Sequence, residues 1–282
     1  MSNQLKTILF LGALTFLLIM FGNALGGTGG MKVALVMAAI MNFASYWMSD
    51  KIALRMYAAQ EVSPQQAPEL AAMVGDLAQK AGVPMPRMYV VPQDTPNAFA
   101  TGRDPSHAVV AVTEGLMRLL SPAEVKGVLA HEMTHVRNRD ILIQSVAATI
   151  GGAIMMLADM FRFSALSAGG EGNGQRRGNP LHLLLMATLG PLAAMLIQTA
   201  ISRSREFIAD EGGARLCRDG EPLARALEKL QTAAHQMPML VNPGTENMFI
   251  VNPLTGGGLM SLFSTHPPVE ERVARLRAMR FD

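Results

Sequence analysis

The sequence predicts a mostly α-helical integral membrane protein: four hydrophobic helices accompany an α+β part with a small sheet. Three observations predict this. Half of the 282 residues are hydrophobic and only 16% are charged, against about 25% in a typical soluble domain. Four long runs, 8–25, 33–49, 141–158 and 181–201, contain no Asp, Glu, Lys or Arg. The segments 51–140 and 202–282 return to ordinary polar composition, with helix caps and strand-like runs. The mean hydropathy of +0.24 agrees. A net charge of +2 gives no basic footprint for nucleic acid. The single cysteine, Cys217, excludes an internal disulfide and any multi-cysteine metal site. The 22 methionines read as core and lipid-facing filler.

Residues 1–50 are expected to form two N-terminal transmembrane helices. Each of the first two runs is close to the roughly 20 residues that span a hydrocarbon core, and Gly26-Gly27-Thr28-Gly29-Gly30 supplies the turn. Tyr46 and Trp47, at the end of the second run, suit a membrane–water interface. Lys6, the apolar stretch after it and the small residues at 24–27 also fit a cleaved signal peptide. Both readings place residue 50 onward on the inner side. Lys51 and Arg55 agree with the positive-inside rule.

Residues 51–140 form the first part of the soluble domain. A helix is expected over Gln66–Ala81, with Ser63, Pro64 and Pro68 at its start and Gly82 as its stop. Arg87–Val91 and Ala108–Val112 read as strands, and Asn97–Thr101 between them as a third, separated by Asp-Thr-Pro and Gly-Arg-Asp-Pro turns. Ser121-Pro122-Ala123-Glu124 then opens a helix by a capping box with proline in the first turn. Residues 141–201 are expected to be a hydrophobic helical hairpin around a Gly/Ser/Asn-rich loop at 164–180. Residues 202–282 complete the soluble domain, with helices near 221–235 and 267–280.

The chemistry lies at His131-Glu132-Met133-Thr134-His135, inside the helix that Ser121 opens. A helical residue advances about 100°, so positions i and i+4 lie about 40° apart on one face. Two imidazoles there can share one Zn2+. Glu132, beside the metal, can act as general base on its water. A catalytic zinc needs a third protein ligand and one open position. Glu206, on a second helix, can supply the third ligand. Asp210, one turn on, can accept the outer N–H of a ligand histidine and fix its tautomer. One ion cannot be held across a bilayer, so the chain between 136 and 205 must cross an even number of times. The two apolar runs there satisfy this, whether they span fully or re-enter.

His131–Asp140 (HEMTHVRNRD), Ser202–Glu211 (SRSREFIADE), Asn97–Ala100 (NAFA) and Ser264–Pro268 (STHPP) together resemble the HtpX-type bacterial membrane metalloproteases, relatives of the eukaryotic CAAX prenyl endopeptidases. The resemblance runs end to end. It implies a gluzincin-like catalytic domain with one zinc ion, facing the cytoplasm on the bacterial inner membrane in a multi-pass protein. It also implies polypeptide substrates, namely membrane or misfolded proteins undergoing quality control. The prenyl endopeptidases have more spans than four, which argues against their substrate class.

The resemblance further makes Asn97, Ala98, Phe99 and Ala100 a substrate-binding edge strand, against a plain structural strand. It makes Arg203 and His266 candidates for the oxyanion. Arg203 equally suits lipid phosphates or Asp210, and His266 equally suits a cap on the last helix. His107, His182 and His235 lack partners at ligand spacing and read as surface or packing residues. Asn138 and Asp140 fit either a supporting shell or a polar helix end, and Arg272, Arg275 and Arg277 read as a solvated helix face. Two rivals remain at this level: a membrane adaptor with a structural metal, and a metallohydrolase of lipids or small molecules.

Overall fold

The computed structural model describes residues 3–146, 203–236, 249–251 and 267–281. The first element, α1 (Asn3–Trp47), is two helices merged across a break at Gly26 and Gly27. Gly27 has φ 56° and ψ −143°, a conformation essentially restricted to glycine. The two arms run antiparallel. Gly22 and Gly30 face each other so closely that a Cβ on Gly22 would lie 2.5 Å from the Gly30 carbonyl oxygen. The Asn42 amide donates to Thr15 Oγ1 across the pair at 2.8 Å. Small residues at the crossing and a polar contact within it are how apolar helices associate where no water drives them together.

The second arm, Gly26–Trp47, is 22 residues long with a mean hydropathy of 1.3, and only 6% of its apolar window is buried. A core helix would bury that surface. Here Val33, Val36, Ile40 and Phe43 all face outward. By length and composition it is the one helix among the described residues fit to cross a membrane. Of the four hydrophobic helices expected, the first run forms the other arm of α1, and the third is described only over 141–146. The fourth, 181–201, lies outside the described residues.

The chain continues with α2 (Ser49–Met56), β1 (Gln60–Val62) and α3 (Pro68–Ala81). It continues through β2 (Arg87–Val91), β3 (Ala98–Thr101), a 3-10 turn (Pro105–His107) and β4 (Val109–Thr113). Then follow α4 (Glu114–Leu119), α5 (Pro122–Arg137), α6 (Arg203–Cys217), α7 (Glu221–Gln236) and α8 (Val269–Ala278). The helix expected from Gln66 starts at Pro68. Ser63 and Gln66 close their own turn first, the Ser63 N–H donating to Gln66 Oε1 at 2.8 Å. Gly82, at φ 68°, ends it in the left-handed cap. The short elements α2 and β1 were not expected from the sequence; three residues carry too little periodicity to read.

The sheet order is β1-β2-β4-β3. β2 and β4 pair in parallel; β1 and β3 join antiparallel at the two edges. One sheet face and helices α3, α5 and α7 enclose the main core, with Leu77, Val110, Val112, Leu129, Met133 and Leu227 at its centre. The predicted capping box starts α5. Ser121 Oγ accepts from the Glu124 N–H, and Glu124 Oε2 accepts from the Ser121 N–H at 2.8 Å. Lys229 on α7 donates to the same carboxylate at 2.7 Å.

α5 and α6 pack at glycine distance. A Cβ on Gly213 would lie 2.8 Å from the His131 backbone nitrogen, with the Ala130 carbonyl carbon at 3.0 Å. Backbone cannot yield as a flexible side chain can. Gly213→Ala should therefore push the helices apart and cost about 1–3 kcal/mol, with weaker metal retention. Urea unfolding in detergent and metal analysis of the purified variant would measure both.

Candidate active site

The sequence brings five ionisable side chains into one buried volume. His131 and His135 lie one turn apart on α5; Glu206 and Asp210 lie one turn apart on α6; all four are at most 3% exposed. His131 Nε2 lies 3.7 Å from Glu206 Oε2, and His135 Nε2 lies 3.6 Å from Glu206 Oε1. One ligand atom from each of these three residues falls within 4.8 Å of the others. The two rings stand nearly perpendicular, at 86°.

The far nitrogens of the rings are fixed from behind. His131 Nδ1 donates to Asp210 Oδ1 at 2.9 Å, and His135 Nδ1 donates to Asp140 Oδ2 at 3.1 Å. Each carboxylate thereby sets its histidine's tautomer and turns the Nε2 lone pair toward Glu206. Two imidazole nitrogens and a carboxylate oxygen converging in a dry site fit a divalent transition metal, zinc foremost. Burial disfavours a charged His135, but Asp140, Glu206 and Glu132 outweigh it and hold the metal-free imidazole up at about 9. A metal ion must displace that proton.

Glu132 points elsewhere. Its Oε2 accepts the Ala100 N–H at 2.8 Å, so the motif carboxylate and the edge strand β3 meet directly. Burial pushes the Glu132 carboxyl up, and Glu206 adds to this against the pull of both histidines. Phe99, Ala100, Gln144, Ser145, Phe249 and Ile250 complete the lining. The cavity is about 20 Å3, room for about one water.

Asp210 is itself clamped. Arg272 on α8 is fully buried; its Nε and Nη2 donate to the two Asp210 oxygens at 2.7 Å each, and its Nη1 donates to the Ile250 carbonyl at 2.7 Å. Burial would raise the Asp210 carboxyl, but the guanidinium and the His131 N–H hold it at about 2. The expectation of a solvated face for Arg272 is therefore wrong, while Arg275 and Arg277 are exposed and pair with Glu271, Glu221 and Glu228. A signal was present: Val269, Val273 and Leu276 are the buried stripe of α8, and Arg272 sits inside that stripe at i+3 from Val269.

Asp140 and Arg205 were also underread. Asp140 is buried, and Arg205 is buried beside it, with Nη1 3.9 Å from Asp140 Oδ1. Both Arg205 terminal nitrogens lack a hydrogen bond among the described residues. Arg203, the expected oxyanion candidate, is exposed and has no ion pair or hydrogen bond among the described residues. His266 and His182 lie outside the described residues. His107 is exposed and bonded to Asp104 at 2.8 Å. Asn97 is buried, its N–H donating to Thr113 Oγ1 at 2.9 Å.

Comparison with known proteins agrees with this geometry. Residues 64–280 match the model of peptidase family M48. A protease HtpX homolog of Desulforapulum autotrophicum is 55% identical over 278 residues, covering 98% of this chain and 90% of the relative. Another, of Syntrophobacter fumaroxidans, is 54% identical and covers 99% of this chain and 100% of the relative. Among solved structures, S. mikatae Ste24p superposes with a TM-score of 0.54 at 20% identity, over 97% of this chain and 64% of that one. That likeness shows a shared fold, and this chain spans about two thirds of the larger protein. The chain belongs to the HtpX-type metalloproteases of peptidase family M48.

Proposed function

We propose that the protein is a zinc-dependent endopeptidase of the bacterial inner membrane, cleaving membrane or misfolded proteins at the cytoplasmic face as quality control. His131, His135 and Glu206 hold the metal, Asp210 orients His131, and Glu132 is the general base. Residues 51–140 and 202–282 then act as two halves of one catalytic domain, interrupted by the 141–201 hairpin. One observation carries the reading. Three ligand atoms converge, the outer nitrogens of both histidines already bonded, while the spare carboxylate, Glu132, faces the strand edge where a peptide would lie.

When bound, zinc polarises the scissile carbonyl and acidifies the attacking water. The rest is the work of this chain. Glu132 holds the proton taken from that water and returns it to the leaving amine. The outer edge of β3, unpaired with any strand among the described residues, aligns the substrate main chain. Phe99, Phe249 and Ile250 keep bulk water out. The edge strand at the metal site favours a peptide over a lipid or a small molecule. The outward apolar face of Gly26–Trp47 supports a membrane location.

The test is casein hydrolysis by detergent-purified protein. Cleavage should vanish on chelation and return with zinc, and His131→Ala and Glu206→Ala should purify metal-free. Intact casein after incubation with fully zinc-loaded protein would overturn the protease reading.

A further inference from the structure

The edge strand has a direction, and its two ends have different neighbours. Asn97 O accepts from the Thr113 N–H on β4, while the Ala100 N–H turns to Glu132. Backbone groups alternate along a strand, so Ala98 and Ala100 present theirs to the edge that no strand pairs among the described residues. The N-terminal end of β3 leads back to the turn at Asp94, which is exposed and paired with Arg118 of α4. The C-terminal end leads to the membrane elements. Thr101 Oγ1 hydrogen-bonds Ser145 Oγ at 2.7 Å, within the helical start of the third apolar run. Two residues on, the Arg103 guanidinium lies over the Trp47 ring, 5.0 Å from its centroid. Trp47 ends the one described helix fit to span a bilayer, and it packs with Tyr46 and Phe43 as an interfacial aromatic group.

A substrate strand pairs better with this edge antiparallel, where hydrogen bonds are perpendicular and slightly stronger per residue. Its N-terminal residues then lie beside Thr101 and its C-terminal residues beside Ala98. We infer that the enzyme prefers polypeptides whose transmembrane helix precedes the scissile bond, and cuts them just after the helix leaves the membrane. Arg103, which reaches the Trp47 ring, lies just beyond Ala100 in the chain, so a strand paired residue for residue with β3 places the cut about three to six residues beyond the helix end. A substrate anchored by a following helix emerges at the Asp94 end, away from the membrane contacts, and reaches the site only through a longer tether. This inference rests on the endopeptidase reading above.

The test uses the zinc-loaded full chain in mixed micelles, where either substrate terminus is accessible. One unstructured segment is fused after a transmembrane helix in one substrate and before the same helix in another. Casein serves as control, and mass spectrometry locates the cuts. The helix-first fusion should be cleaved on the order of a hundredfold faster than the detached segment, the gain of a tether that fits, and the helix-last fusion should lack that gain. Its cuts should cluster about three to six residues after the helix. Equal rates for the two fusions, a helix-last preference, or cuts scattered far from the helix would overturn the inference while casein cleavage keeps the protease reading intact. Failure to cleave casein as well would overturn both.

Discussion

Glu132→Gln should leave zinc bound at full stoichiometry and lower casein turnover by about two to four orders of magnitude, the usual worth of a positioned general base. Gln is isosteric and still accepts the Ala100 N–H that Glu132 Oε2 now accepts at 2.8 Å. It loses only the ability to hold a proton. The proposed ligands are His131, His135 and Glu206, whose ligand atoms converge without Glu132, so the proposed metal set is untouched. The fold should not weaken. Burial already disfavours the Glu132 carboxylate and raises its pKa, so a neutral amide in its place adds no buried charge. The paired measurement is metal content by elemental analysis and casein turnover on one sample. Full turnover would remove Glu132 from the base role; loss of zinc would make it a ligand.

Much of this site was legible because its parts obey short-range rules. The i, i+4 spacing of His131 and His135 needs only helical periodicity, and the Ser121–Glu124 box announces that helix. Glu206 and Asp210 share a face for the same reason. Gly213 carried no such signal: its role is to let one backbone approach another, and nothing local marks a glycine for that.

The long-range contacts were harder. Arg272 lies 62 residues from Asp210 and 22 from Ile250 in the chain, and its neighbours Arg275 and Arg277 are ordinary exposed members of ion pairs. Only its place within the buried stripe distinguishes it. Asp140 stands at a helix boundary before an apolar run, where a polar residue has a bland explanation as well. β3 was anticipated as a strand, but its edge position follows from the β1-β2-β4-β3 order, which depends on a parallel β2–β4 pairing that local pattern does not specify. Hydropathy located the apolar runs. It said nothing of the Gly22–Gly30 crossing within α1, or of Arg103 on Trp47, which joins α1 to the segment that follows the edge strand.

Arg272→Met should be the costliest single substitution outside the ligand set. It keeps much of the side-chain volume and deletes the cation. Asp210 would remain buried, bonded to His131 alone, and the Ile250 carbonyl would lose its donor. Breaking a buried pair from one side costs about 3–5 kcal/mol, measurable as urea unfolding at pH 7. The pH sign follows from Asp210, whose carboxyl is held down at about 2. Its contribution is complete above the unfolded carboxyl's range and is lost as pH falls through about 2, so the gap between wild type and variant should close in strong acid. Zinc affinity should fall separately, by about 10–100-fold, because the carboxylate that orients His131 is no longer fixed. The double variant Arg272→Met with Asp210→Leu distinguishes the two effects. Replacing both members of a buried ion pair by apolar groups is often neutral, so stability should recover while zinc affinity stays low. Recovery of both would show that Arg272 serves the fold alone; recovery of neither would point to the Ile250 carbonyl as the contact that matters.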